Sequence, residues 1–331
     1  MTNVTTLTQV TPGNQVFYDR NLLRRAQPND IHGRFGQKRP LPMKSGESVK
    51  FRRYSQLAAA TTALVEGVTP SGSQLSTTDI TATPLQYGDF ITVSDKVDMQ
   101  NQDPVITEAT DILGDQAGTT IDLIRRDILV AGTNVAYASG VANRLALVNK
   151  ILAADLDKVI RFLKNQNAKW MKEGIDASDK VGTGSVRKSF IALVHPDVEY
   201  DLESITGYKA TSDYGSQEGI IEDEIGSYKN LRFVSSTNCK IWTNATTATT
   251  AGYKATASGS NDVYATLFIA ADAYGNVPLA GKAMETIVKP LGSGGAADPL
   301  NQRATVGWKA QTTTVVLNQA WLLRLESLAT A

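Results

Sequence analysis

The chain has 331 residues, 42% hydrophobic and 20% charged, with 33 basic residues balancing 33 acidic ones. This length allows two core-bearing regions, and the neutral total lacks the positive excess usual for a nucleic-acid-binding domain. A single cysteine, Cys239, excludes an intrachain disulfide framework. Met1 to Val10 has no basic start or apolar run, so no secretory signal is read there, and no stretch approaches the roughly eighteen apolar residues of a membrane span. A soluble protein folded in the cytoplasm is expected.

Residues 1–44 read as an extended arm, punctuated by Pro12, Pro28, Pro40 and Pro42, with a short helical piece around Val16 to Ala26. Such an arm holds too few apolar groups to bury itself and is expected to lie on a neighbouring subunit. Glu47 to Tyr54 alternates Val49 and Phe51 against Lys50 and Arg52, and residues 90–97 alternate likewise through Ile91, Val93 and Val97. About thirty residues rich in Thr, Ser, Ala, Gly and Pro separate them, an unusual length for a plain loop. Residues 45–97 are therefore expected to form a long two-stranded hairpin with a decorated tip, which must lean on something else.

Asp103-Pro104 is a helix start, Asp as N-cap and Pro at the first helical position. Apolar residues recur at Ile106, Ala109, Leu113, Ala117, Ile121, Ile124 and Ile128 until Gly132. This predicts a helix over 104–131, longer than is usual in globular domains. A second helix is expected from Val148 to Lys172, with Leu152, Leu156, Val159 and Leu163 as its core stripe. Next come a strand at Phe190 to Val194, a short helix after His195-Pro196, a strand at Leu231 to Ser235 and an apolar run from Val263 to Ala271. Thr243 to Ser260 is expected to be an exposed loop, and Thr305 to Leu325 is strand-like and returns to the first region. The fold class is α+β.

The even total hides an uneven distribution. From Met1 to Arg53, ten basic residues face three acidic ones, a net of +7; from Thr78 to Asp127, ten acidic residues face three basic ones, a net of −7. Such asymmetry marks either a basic arm that docks on an acidic surface or a solvated surface with chance clustering. On the first reading, Arg20, Arg24, Arg25, Arg52 and Arg53 meet Glu66, Asp95, Asp98, Asp111 and Asp115 across a subunit boundary.

Residues for catalysis are scarce. The only histidines are His32 and His195, too few with one cysteine for a conventional zinc site. Gly182 to Ser189 approaches a phosphate-cradling loop, but Arg187 stands where the second glycine is needed, and the segment precedes a strand instead of following one. His195-Pro196-Asp197 reads as the start of a helix, and the acidic run Glu218, Glu222, Asp223 and Glu224 as a solvated loop. No catalytic, cofactor-binding or metal-binding residue is assigned.

Several stretches together resemble a known family. They are Phe51-Arg-Arg-Tyr54, Leu64 to Pro70, Gln86-Tyr-Gly88, Asp122 with Leu129 to Thr133, Phe190 to Asp197, Glu224-Ile-Gly226, Leu231 to Val234, and Asp298 to Lys309. Their order and spacing resemble the major capsid proteins of tailed bacteriophages, in the family typified by phage N-four, which shares the Hong Kong ninety-seven phage shell fold. The resemblance implies an N-terminal arm at 1–44 and an extended loop at 45–97. It implies a peripheral domain at 98–147 and 283–331 around a spine helix, and an axial domain at 148–282. It implies hexamers and pentamers in an icosahedral shell around double-stranded DNA, with portal, scaffolding or decoration proteins as further partners. A cargo-enclosing nanocompartment of the same fold and a soluble α/β hydrolase using His195 are the alternatives.

Overall fold

In the computed structural model, the described residues are 30–55, 57–64, 66–69, 71–100, 105–171, 188–214, 220–247, 249–257, 259–294 and 298–331. In chain order they form β1 (Gln37–Lys38), β2 (Val49–Tyr54), β3 (Thr77–Ala82), β4 (Leu85–Ser94), α1 (Asp95–Gln100), α2 (Val105–Val130), β5 (Val135–Tyr137) and α3 (Ala153–Asn165). Then follow β6 (Phe190–Val194), α4 (Pro196–Glu203), β7 (Tyr208–Ala210), β8 (Glu224–Tyr228), β9 (Leu231–Ser235), β10 (Ile241–Trp242) and β11 (Val263–Ile269). The last strands are β12 (Tyr274–Pro278), β13 (Met284–Lys289), β14 (Arg303–Val316) and β15 (Leu322–Ser327).

Among the described residues there are three sheets. A five-stranded sheet has the order β1-β12-β14-β13, with β4 on the other side of β14. An eight-stranded sheet has the order β5-β15-β11-β6-β9-β8-β7, with β10 on β11. β2 and β3 form a two-stranded sheet by themselves. The stretch expected as one strand-like region is thus two strands in different sheets: β14 joins β4, while β15 inserts beside β11.

The hairpin expectation is corrected. β2 pairs with β3, from Val49 opposite Ala82 to Tyr54 opposite Thr77, and not with residues 90–97. β4 instead runs along β14 for ten registered pairs, and Val97 lies on α1. The sequence Thr77-Thr-Asp-Ile-Thr-Ala82 is β-branched but carries no apolar alternation, so hydrophobic periodicity passes over it.

The 26 residues of α2 span about 39 Å at 1.5 Å per residue. Its buried positions Ala109, Leu113, Ala117 and Ile121 recur every four residues. A four-residue step overshoots a full turn by about 40°, so the apolar stripe winds around the helix. Leu113, Ala117 and Ile121 accordingly pack on Val306, Trp308 and Ala310 of β14, while Leu129 and Val130 pack on Ile191, Leu193 and Leu267 of the eight-stranded sheet. One helix thus serves two cores. The opposite face of the larger sheet is covered by α3 and α4 through Leu156, Val159, Leu163, Val198 and Leu202.

α3 is shorter than expected. Asn167 takes a left-handed φ of 49°, the Ala168 N–H donates to the Leu163 carbonyl and the Asn167 N–H to that of Lys164. This pair of bonds is a Schellman stop. No described helix is long and apolar enough to cross a membrane.

The arm is also corrected in part. Residues 1–29, including the expected helical piece, lie outside the described residues, but 30–41 lie on the chain's own body. β1 pairs in parallel with β12, and Leu41 bridges to Leu279. His32, fully buried, donates its backbone N–H to Asp122 Oδ1 of α2 at 2.7 Å, with Nδ1 of its ring 2.9 Å from the same oxygen. Asn238 donates to Asp122 Oδ2 at 2.9 Å. The Tyr274 hydroxyl donates to the His32 carbonyl at 2.5 Å, Asn276 to the Gly33 carbonyl at 3.0 Å, and Asp30 pairs with Arg125. Burial pushes the Asp122 carboxyl up, but the bonds from His32 and Asn238 outweigh it and hold the group below its ordinary value.

Asp122→Ala leaves His32 buried without its partner and should cost about 3–5 kcal/mol in denaturant unfolding. Because the folded carboxyl lies below its reference value of 3.8, its contribution is complete above that value and is lost as pH falls through the folded pKa. The stability gap between the natural protein and Asp122→Asn should therefore narrow below about pH 4. An unchanged gap down to pH 2 would contradict this.

Candidate inter-subunit surfaces

Neither histidine stands in a catalytic arrangement. His32 is spent on Asp122. His195 caps α4, with Nδ1 accepting the Asp197 N–H at 3.1 Å, while the Asp197 carboxylate is held by Lys254 and by the Tyr264 hydroxyl at 2.9 Å. Burial lowers the His195 pKa, which suits a ring nitrogen that must stay unprotonated to accept. Gly182 to Arg187 lies outside the described residues. Among the described residues, no three His, Cys, Asp or Glu side chains cluster to hold a metal.

In the acidic run Glu222 and Asp223 are exposed as expected, Glu224 is not, and Glu218 lies outside the described residues. Glu224 is buried; Arg232 Nε donates to it at 2.7 Å, the Tyr214 hydroxyl at 3.0 Å and the Ile221 N–H at 2.9 Å. Glu222 and Asp223 pair with Arg34 at 3.1 and 3.4 Å, so one cation of the basic N-terminal region is engaged within its own chain.

The surfaces left bare lie on the hairpin and on the flank of α2. At the hairpin's base, Val49 and Phe51 pack against a cluster of Leu41, Ala82 and Val277. Beyond it no described residue covers the chain: Tyr54, Leu57, Leu64, Val68 and Leu75 are all exposed, Leu64 by 77%. Arg52 grips Asp79 across the two strands with Nε and Nη2 at 2.8 and 2.9 Å. That hydrogen bond raises the guanidinium pKa and lowers the carboxyl pKa. Both groups are solvated, so the pair orders the hairpin more than it stabilises it. Phe90 of β4 and Ile112 of α2 are also bare, 66% and 61% exposed, on different faces of the five-stranded sheet. Asp89, which faces α2, accepts from Gln116 at 2.7 Å, and Gln116 accepts from the Trp308 indole at 3.2 Å.

The sequence-derived contact residues are dispersed among these surfaces. Arg52 is engaged by Asp79, whereas Arg53 and Glu66 are exposed on the hairpin and its loop. Asp95 opens α1 and accepts the Lys96 N–H at 2.7 Å, and Asp98 belongs to the same helix. Asp111 and Asp115 are half-buried on α2. Arg20, Arg24 and Arg25 lie outside the described residues. Phe90 is out of step with Ile91 and Val93, and Ile112 stands off the Ala109, Leu113 and Ala117 stripe, so that phase is the signal that marks both as outward-facing.

Comparisons with known proteins agree with this shape. The capsid of Ralstonia phage GP4 superposes with a TM-score of 0.65 at 11% identity, over 90% of this chain and 88% of that one. The capsid of cyanophage P-SCSP1u gives 0.60 at 15% identity, over 90% and 87%. The SrpI encapsulin complex of Synechococcus elongatus gives 0.50 at 9% identity, over 94% and 89%. No curated protein sequence matches the chain. The family model described as phage capsid protein matches residues 77–325, well over half of the 331, and the chain belongs to that family.

Proposed function

We propose that this phage capsid protein is the major subunit of an icosahedral head, assembling as hexamers and pentamers around double-stranded DNA. The observation that carries the reading is the β2–β3 hairpin. It pairs with no other strand among the described residues, and its loop exposes Leu57, Leu64 and Val68 to water. A two-stranded ribbon of this kind is marginal by itself, and a row of bare apolar side chains marks an interaction site. The β2–β3 hairpin and its loop, residues 49–82, then overlap a neighbouring subunit, while β4 stays with β14 in the chain's own sheet. Residues 98–147 and 283–331 form a peripheral region around the 104–131 helix, and 148–282 an axial region, with β15 crossing into the axial sheet to join the two. The arm, residues 1–44, adds contacts through its basic end. The site is the virion, assembly takes place in the host cytoplasm, and portal, scaffolding or decoration proteins complete the head. With a net charge of zero, contact with DNA is weak and sequence-independent. A cargo-enclosing compartment is the second reading, favoured by the encapsulin likeness; its shells would hold protein and no genome.

Negative-stain microscopy of the purified protein should show shells or capsomer rings, and a strictly monomeric species would overturn the proposal. Leu64→Asp with Val68→Asp should abolish shells while leaving the thermal unfolding midpoint unchanged, because both side chains are solvated in the single chain. Reversal of Arg20, Arg24 and Arg25 to Glu should impair assembly of a still-folded monomer; normal shells would show that the arm's charge is incidental.

A further inference from the structure

The eight-stranded sheet ends in two unlike edges. At one end, β5 is paired among the described residues only with β15. Between β5, the turn after it and α3 lies an open groove of about 700 Å³. Val135, Tyr137 and Phe162 give it apolar walls, and Lys158 and Arg161 stand along its α3 side. Asp155 at its base is spent on the Ser139 N–H at 3.0 Å and on Lys158 at 3.3 Å. Arg161 is exposed and has no ion-pair partner among the described residues. At the other end, β7 is paired among the described residues only with β8 and packs beside α4. That helix presents Tyr200, 67% exposed, flanked by Glu199 and Glu203. Partial burial raises the Glu199 pKa and the Glu203 charge raises it further. Glu203 closes α4, where the helix dipole disfavours negative charge, and Glu199 stands in its first turn. Among the described residues, neither Glu199 nor Glu203 is joined to a cation by a salt bridge.

We propose that the α4 edge of one copy docks in the β5–α3 groove of the next, with Tyr200 entering the groove and Glu199 and Glu203 facing Lys158 and Arg161. The inference rests on the shell-subunit reading above and names the contact by which subunits join around a capsomer axis. Two different patches on one molecule make a heterologous contact, which closes into a ring when the rotation permits. A protruding tyrosine in an apolar slot with a complementary charged rim is the usual make-up of an interface anchor.

Tyr200→Cys and Arg161→Cys variants, mixed before assembly and oxidised, should give a disulfide-linked dimer absent from either variant alone; the native Cys239 is buried. Reversing Glu199 and Glu203 to Lys should lower the assembled fraction about tenfold or more, as should reversing Lys158 and Arg161 to Glu, and combining all four reversals should restore it. Circular dichroism confirms folding of each variant, and if the charge variants misfold, the cysteine pair decides. Wild-type shells with no mixed dimer overturn this docking alone, whereas wild-type protein that never assembles overturns the shell reading itself.

Discussion

The buried Asp122 carboxylate is the interaction on which the rest of the structure depends. It lies on α2 at the place where the helix leaves the β14 core and enters the larger sheet's core. Its two oxygens hold the arm base through His32 and the β9–β10 connection through Asn238. A bare carboxylate there would be costly; with three hydrogen bonds it ties segments 90 and 116 residues away in sequence to one helix. Through His32 it places residues 30–41 against β12, and β1 with Leu41 in turn forms the seat on which Val49 and Phe51 of the hairpin rest. The direction in which the hairpin leaves the body therefore traces back to one buried charge.

That dependence explains a division in how the molecule uses charge. The buried charges are spent inside the chain: Asp122 accepts from His32, and Glu224 pairs with Arg232, Glu326 with Arg144 and Arg324, and Asp201 with Lys150. The Asp122 and Asp201 contacts join elements distant in sequence, whereas Glu224 with Arg232 ties the neighbouring strands β8 and β9. Asp201, for example, accepts from the backbone of Thr330 at 2.9 Å and so anchors the C-terminal residues. The outward surfaces carry apolar side chains and solvated charges that a single chain leaves unburied.

Much of this was legible in the sequence because it is local. The N-terminal half of α2 announces itself through Ala109, Leu113 and Ala117; β6, β9 and β11 as short apolar runs; and α4 through His195-Pro196. Long-range partners were not legible, since nothing in residues 30–41 says that they fold onto β12. The hairpin was misread because half of β3 is threonine and its inward face shows only Ile80 and Ala82, too short an alternation to stand out. Glu224 of the acidic run misled too: it looks like its neighbours until Arg232, eight residues on in the facing strand, is seen to cover it. Glycines in the resembling stretches do have a legible cause once strands are paired. A Cβ at Gly88 would stand 2.6 Å from the Trp308 carbonyl oxygen, and one at Gly307 would stand 3.0 Å from that of Asp89. β4 and β14 lie too close there for side chains, so sequence likeness at those positions records backbone packing.

The weakness of the surface contacts is consistent with assembly. A solvated ion pair contributes about 0–1 kcal/mol, so a single misplaced contact between two copies can dissociate and try again. Contacts repeated around a ring behave differently, because the closing contact is intramolecular and benefits from a high effective concentration. A subunit that kept its strong charges buried inside and offered only modest patches outside would therefore disfavour stray pairs and favour closed rings. The heterologous geometry of the two sheet edges and the overlap of the hairpin with a neighbour would then act on the same ring, each making the other's contact less costly to form.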